Sequence, residues 1–148
     1  MTPADAATWL TLEVDVDEVG AARRRLIDQL ESAGHDVVFV RDAGAVLSEL
    51  LMNAMIHGVP DDDGHVHAGW RFDRDGSLEL EVRDSGGYDV PTPRAAGDAD
   101  GSGRGLTIVD GTCTSWDVDT TDGTVVRARL SPPPTRVRRL RPGSAGDS

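Results

Sequence analysis

An apolar stretch from residue 45 to 58 contains three polar side chains that could do chemistry. Glu49, Asn53 and His57 recur every fourth residue, so on a helix they share an arc of about 80°. Such a polar stripe must face a cavity or a polar partner, because burying unpaired polar groups is unfavourable. A carboxylate can take a proton from a hydroxyl, and the amide oxygen of an Asn suits Mg²⁺. The alternative is that all three bond to loops and backbone.

Two other segments combine glycine with groups that could hold a nucleotide. Asp84 ends a predicted strand before Gly86 and Gly87, and its carboxylate can accept a hydrogen bond from an exocyclic amine. The segment from residue 101 to 109 leads from glycines into a helix start, where free amides bind phosphate oxygens. Taken singly, the first also fits an ordinary turn and the second a flexible linker.

The composition excludes several mechanisms. The 148 residues include 15 Arg and no Lys, which excludes a P-loop lysine, the strand lysine of eukaryotic-type kinases and Schiff-base chemistry. The single cysteine, Cys113, can form neither an intramolecular disulfide nor a cysteine-cluster metal site, so we expect a cytoplasmic protein. No stretch approaches the roughly 18 apolar residues that span a bilayer, so no membrane partner is expected.

The net charge of −11 is unevenly distributed. Residues 1–130 carry −14, whereas residues 131–148 carry +3. An acidic body is repelled by a phosphate backbone, so we expect no direct contact with nucleic acid and favour a basic protein surface as partner.

Periodicity predicts the elements that position these residues. Alternation from Leu10 to Val16 predicts a first strand, and Asp17 could cap a helix over 18–33 that stops at Gly34. The remaining predictions are a helix from near Asp36 to Gly58, a hairpin over 66–82, a long flexible lid over 86–105, a helix over 104–114, and strands over 115–120 and 124–130.

This order of elements predicts the fold class. The predicted order is a strand, two helices, a hairpin, a loop, a helix and a second hairpin. This order favours an α+β sandwich over a parallel doubly wound sheet. We expect an antiparallel or mixed sheet with all helices on one face.

The three segments together resemble the GHKL ATPases, the superfamily of gyrase, heat-shock chaperone, histidine kinase and MutL with the Bergerat fold. The order and spacing of the three segments match those of the superfamily's motifs across about residues 10–130. Within the superfamily, SELLMNAMIHG, GRGLTIVDGTCTSW and DGTVVRARL are most similar to the small anti-sigma factor serine kinases of the RsbW and SpoIIAB type. The matching positions are Glu49, Asn53, His57 and Gly58 in the N box, Asp84 and Gly86 in the G1 box, and residues 103–109 in the G2 box.

The resemblance implies an ATP site with Mg²⁺. It implies that Glu49 is the general base, Asn53 the Mg²⁺ ligand and Asp84 the adenine contact, and Thr124 matches a threonine that assists adenine recognition. The other nucleotide-binding positions that it implies are His57, Gly86, Gly101, Gly103, Arg104, Gly105 and Leu106.

The resemblance also implies a function. Residues 1–130 are expected to be a histidine kinase-like ATPase domain, and residues 131–148 a disordered tail rich in Pro and Arg. The chain would be an ATP-binding anti-sigma factor that phosphorylates Ser or Thr of a STAS-domain antagonist and regulates transcription by partner switching. Its partners would be a sigma factor and that antagonist, and a homodimer stays open.

Two alternatives stay open beside this function. One is a catalytically inactive, ATP-gated protein-binding module, and the other is a stand-alone catalytic domain of a histidine kinase. The chain departs from the family pattern at Tyr88, where the G1 box usually has Gly, and at Gly123, where Lys often precedes the Thr. Both departures leave Glu49 and Asn53 unchanged.

Other clusters rank below this site. His57, His65 and His67 lack a cysteine and a metal-ligand spacing, so we interpret His65 and His67 as surface residues. The aspartates at 61–63 lack the alternating ligands of a calcium loop and are interpreted as a solvated turn. We interpret the three tryptophans as core or interface residues.

Overall fold

The computed structural model describes residues 7–86, 109 and 111–133. The strands of this part form one sheet in the order β1-β2-β3-β5-β4, and every neighbouring pair is antiparallel. The elements are β1 (Ala7–Glu13), α1 (Val16–Ser32), α2 (Val37–His57), β2 (His65–Phe72), β3 (Leu78–Asp84), β4 (Ser115–Asp119) and β5 (Thr124–Leu130).

Helices α1 and α2 pack against each other and cover one face of the sheet. Alternate residues of the central strands, such as Leu80 in β3 and Ala128 in β5, are buried beneath them. From the helices, Leu26, Leu47 and Leu51 are completely buried in the same core. The fold is therefore the expected two-layer α+β sandwich, and its sheet is antiparallel rather than mixed.

The predicted boundary between the first strand and the first helix is wrong. Strand β1 ends at Glu13, and α1 begins at Val16, because the Asp15 carboxylate accepts a hydrogen bond from the Asp17 amide and caps the helix. Asp17 therefore lies inside the first turn instead of capping it. The alternation of Val14 and Val16 is not a buried strand face, since both side chains are exposed.

Helix α2 and both predicted hairpins are confirmed. The Asp36 carboxylate accepts hydrogen bonds from the amides of Val38 and Phe39 at 2.9 and 3.3 Å, which fixes the helix start. At the other end the Gly58 amide donates to the Ala54 carbonyl at 2.9 Å. Strands β2 and β3 form the first hairpin, and β4 and β5 form the second.

Several predicted elements fall on residues beyond this description. The lid lies outside the described residues after Gly86, and the tail lies outside them from residue 134. Of the predicted helix over 104–114, the helical residues that are described are Val109, Gly111 and Thr112.

The sheet face opposite the helices is polar and charged. Ion pairs join Arg71 to Glu79 and Arg127 to Glu81 across neighbouring strands. Trp9 lies over Gly69 on this face and is 49% exposed, whereas Trp70 is buried in the core. No helix in the described part is both long and apolar enough to cross a membrane.

Candidate functional site

The polar stripe of α2 flanks the buried face of that helix. Glu49, Asn53 and His57 are each half-buried, next to the buried Leu50 and Ala54. The side chains of the three make no hydrogen bond or ion pair within the described part of the chain, and the Asn53 Nδ2 is buried without any partner. A buried donor without an acceptor is costly, so the Nδ2 indicates a position for a ligand that accepts a hydrogen bond, such as a phosphate oxygen.

Asp84 occupies the end of β3 nearest the end of α2. Its Oδ1 accepts hydrogen bonds from the Gly86 amide at 2.6 Å and the Val59 amide at 3.5 Å. The Ser85 amide donates to the Val59 carbonyl at 2.7 Å, so the loop after α2 is tied to the strand end. Burial raises the pKa of Asp84, and the two amide bonds oppose this rise without cancelling it.

Two glycines make room for this carboxyl and its backbone. A Cβ on Gly58 would overlap the Asp84 Oδ2 and stand 2.6 Å from the Ala54 carbonyl oxygen. A Cβ on Gly123 would stand 2.5 Å from the Asp84 carbonyl oxygen, and Gly123 has a φ of +79°. Sequence reasoning interpreted Gly58 as a helix stop and as part of the N box, and missed its contact with Asp84.

Thr124 stands beside Asp84 on the next strand. The two residues are paired across β3 and β5, so their side chains project from the same face of the sheet, the one that the helices cover. Thr124 is 6% exposed. The carboxyl of Asp84 and the hydroxyl of a buried threonine therefore share one end of the space between the helices and the sheet.

The structure brings together one part of the predicted site. Asp84, Gly86 and Thr124 meet the Gly58 end of α2, and Asn53 lies about one helical turn further back. Glu49 lies about one turn beyond Asn53 on the same stripe. The predicted residues Gly101, Gly103, Arg104, Gly105 and Leu106 lie outside the described residues.

This donor set fits a nucleotide with its metal. The Asp84 Oδ2 takes no hydrogen bond from the described residues and could accept one from an exocyclic amine. An Asn amide supplies both an oxygen for Mg²⁺ and a donor for a phosphate oxygen. The residues present therefore fit Mg²⁺ and ATP at this end of the sandwich.

Comparison with known proteins decides the family. A model of the histidine kinase-like ATPase domain matches residues 12–130. The chain belongs to the histidine kinase-like ATPase family. A search of curated proteins found no match. The predicted GHKL resemblance is thus confirmed at family level, and membership implies that the domain binds ATP.

Two solved structures are similar to this histidine kinase-like ATPase domain. The crystal structure of the RsbU and RsbW domains of Rv1364c from Mycobacterium tuberculosis has a TM-score of 0.67 and 19% identity, covering 86% of this chain and 32% of that one. The histidine kinase domain of the blue-light activated histidine kinase EL346 from Erythrobacter litoralis has a TM-score of 0.44 and 18% identity. The match covers 80% of this chain and 61% of that one. This chain spans about a third of the first protein, and that likeness shows the fold alone.

The buried carboxyl predicts a stability effect that depends on pH. Because the pKa of Asp84 is raised above 3.8, the folded domain holds a proton there more tightly than the unfolded chain does. Without nucleotide, Asp84→Asn should therefore have a higher Tm than wild type at neutral pH. The difference in Tm between Asp84→Asn and wild type should narrow as pH falls through the raised pKa of Asp84 towards 3.8. Thermal unfolding at several pH values measures this difference. A gap independent of pH would contradict the raised pKa.

Proposed function

We propose that this histidine kinase-like ATPase domain is an ATP-binding anti-sigma factor that phosphorylates Ser or Thr of a STAS-domain antagonist. The observation that carries the proposal is the buried, unpartnered amide of Asn53 on the stripe it shares with Glu49. The stripe runs towards the end of β3 where Asp84 lies, and these positions match the N and G1 boxes. The chain shares its fold with the RsbU and RsbW domain structure, and the assignment to that branch rests on the motifs.

Each residue of the site has a role in this proposal. Asp84 and Thr124 recognise adenine, and Asn53 holds Mg²⁺, which when bound neutralises charge on the phosphates. Glu49 draws the proton from the attacking hydroxyl, while His57 and Gly86 line the nucleotide. We assign the phosphates to the glycines of residues 101–106, which lie outside the described part of the chain.

The proposed partners follow from charge and from the branch. A domain in which residues 1–130 carry −14 would attract a basic surface and repel nucleic acid. We therefore propose that the chain acts in the cytoplasm by binding a sigma factor and an antagonist in turn. ATP would be both the phosphoryl donor and the ligand that selects the partner.

The second candidate is a module that binds ATP and a partner but transfers no phosphate. Tyr88, in place of the usual glycine of the G1 box, leaves this module open, whereas Glu49 and Asn53 favour the kinase. The two candidates share the ATP site and differ only in the fate of the γ-phosphoryl group. Incubation with ATP and the co-purified antagonist distinguishes them, because only the kinase adds the mass of one phosphate. Acid-stable phosphate on Ser or Thr would also exclude a histidine kinase reaction.

Removing the Asn53 side chain should remove the metal dependence of ATP binding, because its Oδ1 is the proposed Mg²⁺ ligand. Wild-type protein should bind ATP more tightly with Mg²⁺ than with EDTA, and Asn53→Ala should bind equally in both, because Asn53 is the proposed ligand. Isothermal titration calorimetry measures both affinities. Ser48→Ala is the matched control, since among the described residues the Ser48 hydroxyl donates only to the Gly44 carbonyl of the same helix. Retention of the metal dependence in Asn53→Ala would refute the assignment.

A further inference from the structure

A second group of metal-ligating side chains lies where α2 leads into β2. The side chains of Asp61, Asp63 and His65 place their ligand atoms within 4.8 Å of one another. The sequence predicted a solvated turn for Asp61 and Asp63 and a surface position for His65. The fold joins them, because the loop turns back on itself and the Asp61 amide donates to the His65 carbonyl at 2.9 Å.

The carboxylate of Asp61 is held in place from two sides. Its Oδ1 accepts hydrogen bonds from the amides of Asp63 and His65, each at 2.9 Å. Its Oδ2 lies 2.8 Å from the Nε2 of His67, whose Nδ1 lies 3.3 Å from the Thr11 hydroxyl. Metal-binding carboxylates are commonly oriented by such outer hydrogen bonds. His67 is thus a positioning residue for Asp61.

The surroundings add negative charge without a compensating arginine. Glu13 of β1 is paired directly with His65 of β2, so both side chains project from the open face of the sheet. Within the described residues no arginine lies within ion-pairing distance of Glu13, Asp61 or Asp63. The arginines of this face pair with other carboxylates, namely Arg71 with Asp73 and Glu79, Arg83 with Glu81, Arg127 with Glu81 and Asp117, and Arg129 with Asp73 and Asp75.

The chemistry of the donors indicates which cation would bind. Two carboxylates alone would suit Mg²⁺ or Ca²⁺, but an imidazole nitrogen favours a first-row transition metal such as Zn²⁺. We propose that Asp61, Asp63 and His65 bind a divalent transition-metal ion of the Zn²⁺ class, and that the negative charge of Glu13 on the same face of the sheet favours its binding. The site lies on the face opposite the helices and is separate from Asn53 and Asp84. It does not depend on the proposed kinase function.

Zinc titration of the full chain without nucleotide tests the site. Wild-type protein should bind one Zn²⁺ saturably, and His65→Gln and Asp63→Asn should each weaken this binding at least about tenfold. The side chains of Asp63 and His65 make no hydrogen bond in the loop, so both variants should fold, as circular dichroism can verify. Asp75→Asn is the matched control, because Asp75 occupies a similar turn outside the cluster.

The melting temperature gives a second measure of zinc binding. Zn²⁺ should raise the Tm of wild type and leave that of His65→Gln unchanged, since an ion that binds only the folded state stabilises it. The proposal is wrong if wild type shows no saturable binding, or if His65→Gln binds as tightly as wild type. It is also wrong if only Asn53→Ala or Cys113→Ser abolishes binding. His65→Gln should bind ATP like wild type, which separates this test from that of the kinase.

Discussion

Replacing Glu49 by Gln should leave ATP binding nearly intact and lower phosphoryl transfer to the antagonist by roughly 10²-fold or more. This is the usual scale for losing a positioned general base. Gln nearly matches Glu in shape, and no described residue depends on the Glu49 carboxylate for a hydrogen bond or an ion pair. The substitution should therefore remove the proton acceptor without disturbing the helix.

The measurement is the mass of one phosphate added to the antagonist over time, with ATP affinity measured in parallel. Glu31→Gln on α1 is the matched control, because it is an exposed Glu on the other helix. Full transfer by Glu49→Gln would show that Glu49 is not the base. If wild type binds the antagonist with ATP present but never phosphorylates it, the ATP-gated module replaces the kinase.

Local signals in the sequence predicted most of the fold. Asp36 marks the start of α2 and Gly58 its end, and both boundaries are confirmed, since a cap acts on the amides nearest to it in the chain. The two hairpins were also predicted, because Asp75-Gly76 and Asp122-Gly123 are turn signals between alternating segments. Features fixed by adjacent residues are visible in one sequence.

The first strand shows where a local signal misleads. Apolar alternation continues from Leu10 to Val16, and periodicity alone cannot show where the buried face stops. The sequence predicted Asp17 as the cap, and the Asp15 carboxylate caps the helix instead. The outcome depends on which residues reach the core, and Val14 and Val16 do not.

Part of the candidate site could also be predicted from local signals, and part could not. The stripe of Glu49, Asn53 and His57 was predictable because it depends only on helical spacing within one element. The contact between Gly58 and Asp84 was not, because it joins a helix end to a strand end 26 positions away in the sequence, and only the packed fold brings them together. A glycine after a helix already has a sufficient explanation as a stop signal, which concealed its second role.

The contact between Gly58 and Asp84 predicts that Gly58→Ala should weaken ATP binding by about 10- to 100-fold. This is the scale of one hydrogen bond to a charged group. Gly58 has a φ of −84°, which any residue adopts, so the effect would come from contact and not from backbone strain. The added Cβ would overlap the Asp84 Oδ2 and displace the carboxyl from the Val59 and Gly86 amides. Calorimetry with ATP and GTP should show the loss mainly for ATP, because the displaced carboxyl is the proposed adenine contact.

A matched control and a double mutant show whether the effect acts through Asp84. Gly20→Ala also adds a methyl group, but inside helix α1 and with no described atom within 4 Å of its Cβ, so ATP binding and Tm should hold or improve slightly. If Gly58 only positions Asp84, then adding Gly58→Ala to Asp84→Asn should weaken ATP binding far less than adding it to wild type. Two fully additive losses would show that Gly58 affects the nucleotide by another route, such as the nearby Ala54 carbonyl at the end of α2.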